Sequence, residues 1–313
     1  MFATLAVQAR RVLGPRDVQR LFGSFGKSLR TLSPQISLLV VAPWLSPRTR
    51  ELLEADGLNY IDLTGNALVR LNNPAVYIRT DGAARAPSPA PRAKARLRGA
   101  KAARLIRTLL DVQPPYGVRE LADATRIAPG YVSQVLEVLS EDAFVERSKR
   151  GRVESVDVGG LIYRWSEEYE VFRSNDARRF VAPGGAAQAL AAIAERPDLR
   201  VAVSGSFAAV RLAPVAAPAL LCLYSERVDP IAEELGMFPA DAGANVLLLL
   251  PYDPVVWDRS SVEEGVRYVA PSQAVVDCLT GNGRMPAEGE ALRRWMVANE
   301  PRWRLSSLEA PDA

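Results

Sequence analysis

Residues 127–153 read IAPGYVSQVLEVLSEDAFVERSKRGRV. Apolar residues recur at helical spacing in the first half of this stretch and predict one buried stripe, formed by Val132, Val135, Leu136 and Leu139. The second half alternates like a β-hairpin, with its turn at Gly151 and basic residues on both sides of it. The stretch therefore predicts an amphipathic helix followed by a basic hairpin.

The residues before and after this stretch complete a longer order of elements. The apolar pattern predicts a first helix over residues 99–112, and the QPPYG break then precedes a second short helix over residues 118–126. A tight turn leads into the third helix, residues 129–142, and the hairpin covers residues 143–158. This order, with a turn between the second and third helices, is typical of the winged helix-turn-helix.

In a winged helix-turn-helix the third helix enters the DNA major groove, and the wing contacts the flanking backbone. The outward positions of the third helix are candidates for base contacts: Gly130, Tyr131, Ser133 and Gln134. Small residues allow a close approach, and a glutamine can pair bidentately with adenine. Basic residues nearby are candidates for contacts to the DNA backbone: Arg96, Arg98, Lys101, Arg119, Lys149, Arg150 and Arg152.

The net charge of +3 is distributed unevenly along the chain. Residues 1–81 carry 10 Lys/Arg against 6 Asp/Glu, residues 82–165 carry 15 against 9, and residues 166–313 carry 14 against 21. Residues 82–107 contain eight basic residues and no acidic one. Such asymmetry indicates contact with nucleic acid in one part of the chain, although a solubilising linker is an alternative explanation.

The composition also excludes several classes of site. The sequence contains no histidine, which removes Ser-His-Asp and Cys-His nucleophiles and the commonest transition-metal ligand. We therefore expect no enzyme activity, no cofactor and no metal. Cys222 and Cys278 lie in apolar surroundings and are predicted to be buried free thiols. The thiols, the missing secretory signal and the absence of an apolar run near roughly 20 residues predict a cytoplasmic protein without a membrane partner.

The segment before the winged helix has the pattern of a small α/β domain. A helical start is expected first, followed by a buried strand at residues 37–45. A helix then begins at the N-cap Ser46 and stops at Gly57. Three further strands are expected, at residues 58–63, 67–72 and 75–80.

This first segment loosely resembles half of a restriction-endonuclease-like fold, with Asp62 near the position of the first metal-binding aspartate. The next strand, ALVRL, supplies neither an acidic residue nor a lysine. Two-metal hydrolysis needs clustered carboxylates. Asp62 is therefore interpreted as a turn residue beside Gly65 and Asn66.

The acidic segment, residues 166–313, is predicted to form a second α/β domain, beginning with a helix over residues 165–175. Its SGSFAAVRL stretch invites comparison with nucleotidyltransferases, in which a Gly-Ser turn precedes two carboxylates on the next strand. Leu221 and Leu223 stand where those carboxylates would hold Mg²⁺. The Gly205–Ser206 pair is therefore interpreted as a packing turn.

Together these patterns predict an α/β (α+β) multidomain protein with a central winged helix-turn-helix flanked by two small α/β domains. The expected boundaries are an N-terminal α/β domain at 1–81, a basic linker at 82–98, the winged helix at 99–165 and the acidic domain at 166–313.

Three stretches in this order resemble the AbiEi-type antitoxins of type IV toxin–antitoxin systems: residues 117–152, 205–212 and 271–296. The resemblance covers residues 95–300 and implies a DNA-binding autorepressor. It also implies a nucleotidyltransferase-type toxin as an indirect partner, neutralised without a tight complex. The sequence departs from the family pattern by carrying an α/β segment before the winged helix, which puts the toxin pairing in doubt more than the DNA binding.

The sequence thus predicts a sequence-specific DNA-binding transcriptional regulator whose partner is double-stranded DNA. A homodimer is one arrangement, since many winged-helix regulators bind palindromic sites as dimers. The alternatives are a nuclease or nucleotidyltransferase relative and a protein-interaction scaffold that does not bind DNA. Metal-dependent turnover would favour the first alternative, and the absence of salt-sensitive DNA affinity would favour the second.

Overall fold

The protein has a mixed α/β fold with helices and three β-sheets. The computed structural model describes residues 3–22, 36–72, 74–85, 97 and 99–308. Within these ranges, no helix is both long and apolar enough to cross a lipid bilayer.

The helices are α1 (Pro15–Phe22), α2 (Pro47–Ala55), α3 (Ala100–Asp111), α4 (Val118–Thr125), α5 (Pro129–Glu141), α6 (Val158–Ser166), α7 (Val171–Ser174), α8 (Ala186–Ala194), α9 (Gly205–Ala209), α10 (Val228–Glu234), a 3₁₀ turn (Pro254–Trp257), α11 (Pro271–Leu279), α12 (Met285–Ala298) and α13 (Glu300–Trp303). The strands are β1 (Thr4–Ala9), β2 (Ile36–Ala42), β3 (Asn59–Asp62), β4 (Ala67–Asn72), β5 (Ala75–Thr80), β6 (Val145–Arg147), β7 (Val153–Val156), β8 (Asp176–Val181), β9 (Ala202–Ser204), β10 (Leu221–Tyr224), β11 (Phe238–Pro239), β12 (Val246–Leu250), β13 (Ser261–Glu263) and β14 (Val266–Tyr268).

The chain divides into two compact units. The N-terminal unit comprises Met1–Ala95 and Leu136–Val145, and the C-terminal unit comprises Arg96–Val135 and Glu146–Ala313. The division passes through α5 and through the start of β6. Residues 99–165 therefore do not form a compact unit of their own.

The N-terminal unit is built on a five-stranded sheet in the order β1-β2-β3-β4-β5. The first three strands are parallel, and β4 and β5 continue the sheet antiparallel. One face of the sheet packs in a buried cluster with residues of the α1 and α2 regions. As predicted, α2 has Ser46 as its N-cap, whose hydroxyl accepts a hydrogen bond from the Thr49 N–H at 3.1 Å.

The expected helical start of this unit is wrong. Residues Thr4–Ala9 form β1, and the first helix begins only at Pro15. TLAVQA alternates with a period of two, and it pairs in parallel with β2 along its whole length. Pairing with a distant strand therefore decides the structure of this stretch, since its local sequence is compatible with both states.

Asp62 is the last residue of β3, and its side chain stabilises the turn beside Gly65 and Asn66, as the sequence predicts. Its buried carboxylate accepts hydrogen bonds from the backbone N–H groups of Leu45, Thr64 and Asn66, and from the side chains of Thr64 and Asn66. Burial alone would raise the pKa of Asp62, but these hydrogen bonds lower it below its ordinary value. The carboxylate stabilises the β3–β4 turn.

The C-terminal unit contains a seven-stranded sheet in the order β11-β8-β12-β10-β9-β14-β13. The predicted helix over residues 165–175 is also wrong, because α6 ends at Ser166 and α7 begins at Val171. Between them, Tyr169 is buried and its hydroxyl donates to the Asp277 carboxylate at 2.7 Å. This long-range bond stabilises a break that helical periodicity does not reveal.

One buried and one partly exposed arginine join α3 to the rest of the C-terminal unit. Arg107 is fully buried and donates to the carbonyl oxygens of Val255 and Asp258. Arg104 binds the Asp253 carboxylate through two hydrogen bonds of 2.7 and 3.0 Å. These contacts make α3 part of the same core as the seven-stranded sheet.

Candidate nucleic-acid interface

The first turns of α5 present a polar edge to solvent. The predicted apolar stripe is confirmed, because Val132, Val135, Leu136 and Leu139 are all completely buried. Gly130, Ser133 and Gln134 are exposed, and Tyr131 is half-buried. A methyl group added at Gly130 would meet no atom within 4 Å, so protein packing does not require glycine at this position.

The hairpin after α5 ends in a tight turn at residues 148–151. The Gly151 N–H donates to the Ser148 carbonyl, and the Ser148 N–H donates to the Arg152 carbonyl, both at 2.9 Å. Gly151 has φ +83°, a conformation that favours glycine. The turn leaves Lys149 and Arg150 exposed, and neither side chain has a hydrogen-bond or ion-pair partner among the described residues.

A short bridge attaches the hairpin to the segment before α4. Tyr116 and Val153 pair antiparallel, with N–H to carbonyl distances of 3.3 and 2.9 Å. This bridge adds a third short extended segment beside β6 and β7. Sequence periodicity does not reveal this segment, because QPPYG contains turn formers that interrupt a helical pattern and has too few residues to show strand periodicity.

Arg152 is engaged within the protein. Its guanidinium donates to the Glu120 carboxylate at 2.9 and 3.3 Å and to the Pro115 carbonyl at 3.1 Å. Glu120 also accepts from the Gly117 N–H at the start of α4. The hydrogen bond from Gly117 and those from Arg152 lower the pKa of Glu120. Arg152 thus links the hairpin to α4, a role that its position beside Gly151 did not indicate.

The other residues predicted to contact the DNA backbone have surroundings different from those of Arg152. Arg119 is exposed near the start of α4, and Lys101 is exposed in the first turn of α3. Arg96 and Arg98 lie outside the described residues. Acidic residues are also exposed around the hairpin, among them Glu146 and Glu154.

The residues of the C-terminal unit that were compared with a nucleotidyltransferase site are packed inside the protein. Leu221 and Leu223 are completely buried, and the Ser206 hydroxyl donates to the buried Glu288 carboxylate. Gly205 has φ +63°, and an added Cβ would lie 3.1 Å from the Cys222 Sγ. Among the described residues, no group of three or more Cys, Asp or Glu side chains is arranged to hold a metal ion. Gly205 and Ser206 form a packed turn.

Both cysteines are buried and unpaired, as predicted. Burial raises the pKa of the Cys222 thiol to about 12 and that of the Cys278 thiol well above its ordinary value. Both groups are therefore neutral thiols near pH 7, and neither has the accessible thiolate of a nucleophile.

Comparison of the chain with protein-family models, with curated proteins and with solved structures finds no match.

Proposed function

We propose that residues 99–156 act as a winged helix-turn-helix and that the protein is a sequence-specific DNA-binding transcriptional regulator. The observation that carries this proposal is the order α3, α4, α5 and hairpin, completed by the Tyr116–Val153 bridge. In a winged helix the segment between the first two helices pairs with the wing in this way. The leading edge of α5 and the hairpin turn are both exposed.

In this proposal α5 reads the bases. Ser133 and Gln134 are exposed on its first two turns, and Gly130 has open space where a side chain would be. A glutamine amide offers a donor and an acceptor to the N7 and N6 edge of adenine. Partial burial raises the pKa of Tyr131, so its hydroxyl stays protonated near pH 7 and can donate to a phosphate or a base.

The hairpin turn supplies the electrostatic part of binding. Lys149 and Arg150 are exposed, and each can replace a counterion at a phosphate. Such contacts position the protein without reading sequence. Changes in α5 should therefore alter base discrimination, whereas changes in the hairpin turn should alter the salt dependence of binding.

The test is selection of a binding site from random DNA, followed by titration of Ser133→Ala and Gln134→Ala on that site and on unrelated DNA. Each variant should lose about 1–3 kcal/mol of discrimination, while its affinity for unrelated DNA stays nearly unchanged. Gln188→Ala is the matched control, since Gln188 is an exposed glutamine on α8 of the same unit. If both variants select and bind the same site as the unmodified protein, α5 is not the reading helix.

The resemblance to AbiEi-type antitoxins supports a narrower form of this proposal, in which the protein represses its own promoter and counteracts a nucleotidyltransferase toxin without a tight complex. A reporter driven by the DNA upstream of its own coding region tests the repression. Repression should be lost in a Lys149→Ala/Arg150→Ala double variant. Equal reporter output with and without the protein would overturn autorepression and leave DNA binding elsewhere intact.

A further inference from the structure

An open groove of about 880 Å³ lies at the β8 side of the seven-stranded sheet, within the C-terminal unit. Residues of β8 and β12 line it, together with the segment that joins β11 to β12. The short helix α7 and the turn between α11 and α12 complete its border. The volume falls within the roughly 300–1,000 Å³ of pockets that bind small organic molecules.

Arg179 on β8 is the available cation of the groove. Its side chain is exposed, and its guanidinium has no hydrogen-bond or ion-pair partner among the described residues. The adjacent Arg178 also lines the groove, but its guanidinium is bound to the Asp229 carboxylate at 2.6 Å. Since neighbouring residues of a strand face opposite sides of the sheet, the side chains of Arg178 and Arg179 lie on different faces.

The position of Arg179 in the sheet explains why its side chain is exposed. Arg179 lies opposite Leu247 on β12, and Leu247 lies opposite Cys222 on β10, so the three residues form one row on one face. Cys222 is 2% exposed and Leu247 6%, whereas Arg179 belongs to the exposed residues. The elements packed on this face therefore cover the row at β10 and β12 but not its end at β8.

Asp241 supplies an available anion at the same groove. It is exposed and has no hydrogen-bond or ion-pair partner among the described residues. The segment that carries it is attached to β8, because the Ala240 N–H donates to the Arg179 carbonyl at 3.1 Å. The groove is thus lined by a cation and an anion that do not bind each other, and charge complementarity favours a ligand that carries both charges.

Apolar side chains supply the rest of the groove's recognition surface. Phe172 on α7 and Leu220 before β10 both line it and are half-buried, so each keeps apolar surface in contact with solvent. A ligand with an apolar body would cover that surface and remove it from water. Exposed apolar surface beside two opposite charges indicates a small amphipathic zwitterion.

We propose that this groove binds a zwitterion of the amino-acid class, a free amino acid or a dipeptide with apolar side chains. The carboxylate accepts two parallel N–H···O bonds from the Arg179 guanidinium, the ammonium group donates to Asp241, and the apolar side chain contacts Phe172 and Leu220. A simple carboxylate would leave Asp241 without a partner, and a simple amine would leave Arg179 without one. The proposal does not depend on DNA binding.

The test is calorimetric titration of the full-length protein, without DNA, with L-phenylalanine and L-leucyl-L-phenylalanine as probes. At least one of them should bind saturably. Arg179→Ala should weaken that binding about tenfold, the effect of losing hydrogen bonds to a charged group. Asp241→Asn should weaken it about threefold, because an exposed ion pair contributes less.

Two further probes separate the charges of the ligand. 3-Phenylpropionate lacks the ammonium group of phenylalanine and should bind about threefold more weakly than the zwitterion, and Asp241→Asn should not weaken its binding further. Phenethylamine lacks the carboxylate and should bind about tenfold more weakly, with no further loss in Arg179→Ala.

Arg173→Ala and Asp81→Asn are the matched control variants. Arg173 lies on α7, does not line the groove and is paired with Glu170, and Asp81 is an exposed residue of the N-terminal unit. Both controls should bind the probes like the unmodified protein. All four variants should keep its melting temperature, since each change is at an exposed side chain.

The proposal is overturned if neither zwitterion binds at millimolar concentration, or if either probe with a single charge binds as tightly as the zwitterion. Unchanged affinity in Arg179→Ala would also overturn it. Because no DNA is present, failure of operator binding is a separate outcome.

Discussion

The arginines of α3 and the basic residues of the hairpin turn are chemically alike, but their surroundings are opposite. Arg107 is completely buried, and its guanidinium contacts Asp111, Ser272 and two backbone carbonyls. Arg150 is exposed and has no partner among the described residues. Burial with several partners makes a cation structural, whereas exposure without partners leaves it available to a phosphate.

A count of charges along the sequence does not show which of them are already bound within the protein. Of the eight basic residues in 82–107, Arg104 and Arg107 are engaged by Asp253, Asp111 and backbone carbonyls. In the hairpin, Arg152 is engaged by Glu120. Part of the basic character that pointed to nucleic acid therefore serves the fold, whereas Lys149 and Arg150 are exposed and have no partner among the described residues.

The strongest test of the structural arginines is to remove at once all their partners in residues 253–272. A fragment of residues 99–165 retains α3 but lacks Asp253, Val255, Asp258 and Ser272, which bind Arg104 and Arg107. Because α3 would then expose its buried face, we expect no cooperative thermal transition by circular dichroism. The full chain should unfold cooperatively in the same buffer. A sharp transition in the fragment would show that α3 does not need these contacts.

The next largest effect is expected from Arg107→Ala. Removing the guanidinium takes one donor from each of the Val255 and Asp258 carbonyls and leaves Asp111 with only the partly buried Arg259 at 3.4 Å. Breaking a buried ion pair on one side costs about 3–5 kcal/mol. Urea denaturation should show that loss, whereas Arg150→Ala should stay within about 0.5 kcal/mol of the unmodified protein. Equal stability of the two variants would abolish the contrast.

The same contrast extends to acidic residues of the N-terminal unit. Asp62→Asn should destabilise the β3–β4 turn by about 1–3 kcal/mol, because several buried donors lose a charged acceptor. The pKa of Asp62 is lowered in the folded protein, so its contribution is present above the unfolded value near 4 and is lost as pH falls through the folded pKa. Hydrogen exchange of the Leu45 and Asn66 amides between pH 6 and pH 3 measures this dependence.

Asp81→Asn is the control for that experiment, since the Asp81 side chain is 84% exposed. It should leave the exchange of both amides unchanged at every pH. If Asp62→Asn behaves like Asp81→Asn, the hydrogen bonds to Asp62 do not stabilise the turn.

The available charge is tested by salt dependence. Lys149→Ala/Arg150→Ala should reduce the slope of log affinity against log salt by about 0.9 for each lost phosphate contact. The ratio of the affinity of the unmodified protein to that of the double variant should be about ten times larger at 50 mM salt than at 200 mM. The unfolding midpoint should not change. An unchanged slope would indicate that the hairpin turn does not contact DNA.

The smallest effect is expected at the ion pair that occupies Arg152. Glu120→Gln removes the charge that holds the guanidinium, so Arg152 can contribute one additional phosphate contact. Affinity at low salt should rise about threefold and the salt slope should steepen by about 0.9. Glu154→Gln removes an equal charge from β7 without freeing an arginine, so it should change the affinity less. If both variants behave alike, the effect comes from the loss of one negative charge and not from the release of Arg152.

The sequence by itself determined the local elements of this protein. Ser46, Pro47 and Gly57 mark the helix that the structure places at Pro47–Ala55, and β4 and β5 begin and end where their apolar patterns do. The same holds for the buried stripe of α5 and the glycine turn of the hairpin. These features depend on periodicity, capping and backbone conformation, which act within a few residues.

Only the tertiary structure decided which charges are available and which stretches pair. Arg107 finds its carbonyl partners about 150 residues away, Arg152 finds Glu120 on another element, and β1 becomes a strand because β2 lies beside it. A local pattern records which side chains are polar or apolar, but the partner of each group depends on how distant segments pack together, since burial turns an ordinary surface charge into one that must be paired.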